Sequence, residues 1–252
     1  MRALWIVMLA VSIPVGCVAY EPSMLNLTVP SALEPRQGEI TIQHRFYGQV
    51  NEQPFQTFFG MDLGPNVGLM LRFPIGGGFE IKGGRIRDFK EYVLCASYSK
   101  HLPGIPLSGR LDIQYFTFKK DEITDRKGDM FYQVALQSDP ILKRAQPCLN
   151  LGYDGYSERV GLGAGLTMQI LERLSFLGEY YPVLDRDQED DVASARVGPK
   201  DCFAFGIKVQ TYGHHFFLMV GNSYAIGTRR LMMGTDSNDL YFGFNIQRRL
   251  EF

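Results

Sequence analysis

The closing stretch of the chain, DLYFGFNIQRRLEF (residues 239–252), alternates with a period of two. Leu240, Phe242, Phe244, Ile246, Leu250 and Phe252 share one phase, while Tyr241, Gly243, Asn245, Gln247 and Arg249 share the other. Arg248 alone interrupts the apolar phase. Such alternation places successive side chains on opposite faces of a β-strand. The pattern recurs upstream. Ile40, Ile42, His44 and Phe46 alternate with Thr41, Gln43 and Arg45, and Phe203, Phe205, Ile207 and Val209 alternate with Ala204, Gly206, Lys208 and Gln210. It predicts about twelve strands, at residues 39–47, 66–73, 78–85, 92–100, 107–119, 130–137, 148–156, 162–170, 174–184, 202–211, 215–221 and 239–252.

Strands near ten residues long suit a tilted crossing of a bilayer, where only alternate side chains need be apolar. The links support this. Tight Gly- and Pro-rich turns follow the second, fourth, eighth and tenth strands, and a modest one follows the sixth. Long polar links follow the first, fifth, ninth and eleventh, at 49–65, 120–129, 185–201 and 222–238, while the third and seventh are shorter. The chain therefore reads as all-β: a closed antiparallel up-and-down transmembrane β-barrel with short periplasmic turns and longer extracellular loops. A soluble barrel of lipocalin type would put its apolar residues inside and gives no reason to end on Phe252. Phe242, Phe244, Ile246, Leu250 and Phe252 look like the C-terminal membrane-insertion signal read by barrel-assembly machinery.

Composition adds bounds. The chain has 252 residues, enough for one domain or two, and the regular strand spacing favours one. A net charge of −1 gives no footing for nucleic acid. The 18 Phe and 13 Tyr suit interfacial girdles. Residues 1–19 read as a signal peptide, with Arg2, an apolar core over 3–15 and cleavage after Cys17-Val18-Ala19; lipidation at Cys17 is the competing ending. Residues 20–37, with Pro22, Pro30 and Pro35, read as an extended periplasmic segment, and 38–252 as the barrel. Cys95, Cys148 and Cys202 read as buried small apolar residues, with a disulfide between two of them left open.

His44-Arg45-Phe46, Glu179-Tyr180-Tyr181, the run from His215 through Gly221-Asn222-Ser223, and 239–246 together resemble a family of bacterial β-barrel proteins catalogued as a domain of unknown function. Phe217 and Met219 depart from it, standing where more polar lumen residues are usual. The resemblance implies the fold and an outer-membrane location in a Gram-negative bacterium, and no catalytic residue.

The inward phase carries Arg72, Glu80, Lys82, Arg110, Asp112, Asp154, Glu179, Lys208 and Gln210. Charges sharing a narrow lumen either line a selective channel or pair into a filling network. Gly161-Leu162-Gly163-Ala164-Gly165 precedes no helix, so it reads as a strand with room on its inner face rather than a nucleotide loop. His44, His101, His214 and His215 are not spaced as metal ligands, and no serine shares the outward face with His44 as a lipid hydrolase needs. No metal, cofactor or enzymatic activity is expected. His44 and Arg248 interrupt the outward faces of the first and last strands, which reads either as Arg248 snorkelling to the interface or as a polar seam for oligomer or partner contact. The acidic run 185–191 reads as a solvated loop. The expected function is a narrow channel for small solutes in the bacterial outer membrane, in contact with lipid and lipopolysaccharide. The alternative is a non-conducting structural or partner-binding barrel.

Overall fold

The computed structural model describes residues 23–118, 127–142, 144–184 and 198–252; the leader and the acidic run 185–191 lie outside them. Twelve antiparallel strands close into one barrel: β1 (Gln37–Gln49), β2 (Pro65–Gly76), β3 (Phe79–Ile86), β4 (Glu91–His101), β5 (Leu107–Thr117), β6 (Gly128–Ser138), β7 (Ala145–Asp154), β8 (Arg159–Leu171), β9 (Leu174–Tyr181), β10 (Cys202–Thr211), β11 (His214–Gly221) and β12 (Tyr241–Glu251). Each strand pairs with its chain neighbours, and β12 closes on β1 with Ile246 opposite Ile42 and Phe244 opposite His44. Closure leaves no unpaired edge, which a sheet surrounded by lipid requires. Strand ends shift from the periodic reading by a few residues: the strand expected over 174–184 stops at Tyr181, and the one expected over 107–119 stops at Thr117. No helix of the described residues is long and apolar enough to cross a membrane.

Leu69, Leu71, Leu94, Ile113, Leu151, Leu166, Phe205 and Leu218 are exposed on the outer face, so the apolar phase looks outward as expected. Inside, the outcome differs. Residues 23–33, expected in an extended periplasmic lead-in, run within the barrel, where Met24, Leu25, Leu27 and Leu33 are buried. The loop of residues 222–240, expected to be long and polar, carries a short helix, α1 (Thr228–Met232), whose Leu231 and Met232 join the same interior core. The lumen thus holds an apolar cluster within a polar wall. Ordering a segment costs about 1–2 kcal/mol per residue in backbone entropy, and burial of its apolar side chains offsets this at roughly 1.5–3 kcal/mol each.

Candidate functional site: the barrel lumen

One side of the lumen is a ladder of charge on neighbouring strands. Arg72 on β2 meets Glu39 on β1 at 3.3 Å and Glu80 on β3 at 3.1 Å. Arg110 on β5 meets Glu80 at 2.7 Å and Asp112 at 2.7 Å. The period-two alternation aims all five inward, and mutual pairing offsets the cost of taking these charges out of bulk water. The ladder also grips the N-terminal segment: Leu33 N–H donates to Glu80 Oε1 at 2.6 Å, and Arg72 donates to the Ser31 carbonyl.

Deeper in, Glu179 on β9 is the main anchor. Its carboxylate accepts from Asn26 N–H at 2.8 Å, Leu27 N–H at 3.0 Å, the Asn26 amide at 3.0 Å and Tyr181 hydroxyl at 2.9 Å. Asn150 on β7 brackets Thr28, accepting from its N–H at 2.9 Å and donating to its carbonyl at 2.9 Å. Asn245 on β12 donates to the Leu25 carbonyl, and Arg45 on β1 to Asn26 Oδ1, both at 2.7 Å. The segment bends over residues 25–27. It then turns back toward the short-turn rim, where Met24 meets Thr167 and Ser23 meets the Lys208 ammonium at 3.2 Å.

The apolar residues of the segment fit a slot in the opposite wall. A Cβ at Gly163 would lie 2.7 Å from Leu27 Cδ2, and one at Gly165 2.4 Å from Met24 Cε. Phe217 and Met219 on β11, with Leu177 on β9, complete the slot. The glycine-rich strand and the two unexpectedly apolar inward residues therefore have one cause. Filling the slot should loosen the segment: overpacking costs about 1–3 kcal/mol. With Gly165→Val, maleimide labelling of a Ser23→Cys reporter is expected to rise several-fold, and unchanged labelling would show that the slot does not hold the segment.

The long-loop end is covered by α1. Arg229 donates to Glu91 Oε1 at 2.9 Å and lies 3.5 Å from Asp154, with its guanidinium 3.6 Å from the Phe116 ring centre. Burial works against the Arg229 cation, but Glu91 and Asp154 outweigh it and raise its pKa above the ordinary arginine value. Arg230 also binds Glu91, and Thr228 donates to the Asn26 carbonyl at 2.6 Å, so helix and segment touch. A cavity of about 180 Å³ remains between the segment and the charged wall.

Of the nine residues expected to line the lumen, Arg72, Glu80, Arg110 and Asp112 form the ladder, Asp154 faces α1, and Glu179 and Lys208 hold the segment. Lys82 lines the cavity, and Gln210 is buried on β10. Cys95, Cys148 and Cys202 are free and buried. Phe242, Phe244, Ile246 and Leu250, expected as part of a membrane-insertion signal, lie on the outward phase of β12 and Phe252 just past its end, whereas Tyr241 and Asn245 face in and are buried. His44 and Arg248 form no continuous seam: His44 stacks on Phe244 at 4.4 Å, and Arg248 pairs instead with Ile40, nearer the short turns. His101 Nδ1 lies 3.1 Å from Ser108 Oγ and 3.8 Å from Asp139. Both approach the same ring nitrogen, so this exposed trio is not a proton relay, which needs the two ring nitrogens to face different partners.

The sequence reading missed Glu91, one residue before the strand it drew, and Arg229 and Arg230 in a stretch expected only as a long polar link. It also missed the N-terminal segment itself, whose signal was present in Met24, Leu25 and Leu27.

Comparisons agree with this architecture. No curated protein matches the chain. Among solved structures, the KdgM porin superposes with a TM-score of 0.55 at 9% identity, covering 85% of this chain and 99% of that one. The NanC porin gives 0.50 at 11% identity, covering 84% and 99%. KdgM in complex with disordered oligogalacturonate gives 0.50 at 10% identity, covering 85% and 99%. At these identities the likeness is one of fold. Residues 151–250 match the family described as a membrane bound beta barrel domain (DUF5777), whose function is unknown.

Proposed function

We propose that this protein is a narrow outer-membrane channel for small solutes, held shut by its own N-terminal segment. One observation carries the reading: the wall groups that would line an aqueous path, Glu179, Asn150, Arg72 and Glu80, are the ones that hold residues 26–33. Withdrawal of the segment would turn the same groups into a polar lining. The shared fold with porins supports the reading. A leader over residues 1–19 and an insertion signal at Phe242, Phe244, Ile246, Leu250 and Phe252 would deliver the chain, through the barrel-assembly machinery, to a membrane of lipid and lipopolysaccharide. The apolar slot favours a second reading, a barrel that stays filled and serves as a structural or partner-binding element.

Planar-bilayer recording separates the two. The full chain is expected to be mostly silent, whereas deletion of residues 23–33 should raise the open fraction at least tenfold, with ion selectivity shifted by Lys208→Glu in the deleted background. A deletion variant that folds, as judged by heat-dependent gel mobility, and still passes no current would establish the second reading.

A further inference from the structure

The loop of residues 50–64 is anchored at the long-loop rim in an unusual position. Tyr47 faces inward, meeting the Tyr224 ring at 5.3 Å, so alternation puts Gly48 on the outward phase. Gly60 lies against that outward side: a Cβ at Gly48 would sit 2.4 Å from the Gly60 carbonyl oxygen. Within the loop Thr57 N–H donates to the Gln53 carbonyl at 3.0 Å and Phe59 N–H to the Pro54 carbonyl at 2.7 Å, closing local turns, and Tyr47 N–H donates to the Gly64 carbonyl at 3.0 Å where the loop returns to β2. The loop therefore lies over the outside of the barrel wall. It presents Phe55 at 90% exposure, Phe58 at 61% and Leu63 at 69%, and the Phe55 and Phe58 rings gather on Phe59 at 5.8 and 6.4 Å, an exposed apolar patch rather than scattered side chains. Directly below, Phe46 stacks with Phe242 at 6.0 Å on the outward face, so the aromatic surface continues the lipid-facing band. The loop's charged residues are Glu52 and Asp62, with no lysine or arginine to grip a phosphate.

We propose that this loop is an interfacial anchor whose phenylalanines sit among the acyl chains of the leaflet at the long-loop rim. Aromatic side chains concentrate at that depth because ring burial and a nearby wet boundary are both available there. The anchor would fix the depth and tilt of β1 and β12, the seam where the barrel closes. It depends on the membrane barrel alone and stands whether or not the lumen conducts.

The chain's one tryptophan, Trp5, permits a direct test. In a Trp5→Phe background, Phe55→Trp and, separately, Phe58→Trp are reconstituted in vesicles containing phosphatidylcholine brominated near the top of the acyl chain. Leu69→Trp on the outer wall serves as the embedded reference. Quenching of either loop tryptophan to at least half the reference, with blue-shifted emission, is expected. Unquenched emission at the wavelength of a water-exposed indole in both variants would overturn the anchor. So would blue-shifted emission that escapes bromolipid and vanishes on diluting protein in lipid, since a second copy of the chain would then be the occupant.

Discussion

Replacing Glu179 by leucine is expected to release the N-terminal segment from the lumen. The carboxylate accepts three bonds from Asn26 and Leu27 alone, and a buried donor left without an acceptor costs about 1–3 kcal/mol. Leaving three donors without an acceptor at once amounts to about 3 kcal/mol or more, over a hundredfold in occupancy. Labelling of Ser23→Cys should become fast and bilayer current should appear, while the barrel keeps its heat-dependent mobility because no strand pairing involves the side chain. Glu179→Gln, which keeps one acceptor oxygen, should fall between. Equal protection of the reporter in wild type and Glu179→Leu would mean that the segment is held by its apolar slot rather than by the carboxylate.

The second large effect is expected at Glu91. Its carboxylate binds Arg229 and Arg230 together, and removing one partner of a buried ion pair costs about 3–5 kcal/mol because the remaining charge stays desolvated. Arg229 would keep only Asp154, at 3.5 Å. In Glu91→Leu, α1 should lift toward solvent and carry the Thr228–Asn26 contact with it. Limited proteolysis within the loop of residues 222–240 should accelerate at least tenfold, and Ser23→Cys should gain reactivity through the shared contact. Proteolysis at the wild-type rate would show that the helix is held by its apolar packing around Leu231 and Met232.

The strands were legible because period-two alternation is enforced by two different solvents, lipid outside and polar groups inside; β12 and β1 show it along nearly their whole length. The inward charges were legible for the same reason. What fills the barrel was not, because no period marks it. The segment of residues 23–33 reads as linker because Pro22, Pro30 and Pro35 punctuate it and its apolar residues follow no strand period, and Arg229 and Arg230 sit in a long polar link. Hints existed on the wall. Gly163 and Gly165 on β8 leave space, and Phe217 and Met219 on β11 turn apolar groups inward, two strands whose inner faces only make sense with an apolar guest. Glu91 escaped because it is the first residue of its strand, where alternation has too few neighbours to register.

The central claim, that the chain's own N-terminal segment folds back inside the barrel and closes it, is tested most directly by a reversible covalent lock. Met24 and Thr167 are in contact, Sδ to Oγ1 at 3.0 Å, so Met24→Cys with Thr167→Cys should be bridged, in a chain otherwise unchanged, by a short bis-methanethiosulfonate whose span covers the length lost in shortening the methionine side chain. Added to the Glu179→Leu background, the same bridge should abolish the bilayer current and reduction should restore it. A current that ignores the bridge, or a pair that no short cross-linker joins in the otherwise unchanged folded barrel, would contradict a segment seated in this lumen.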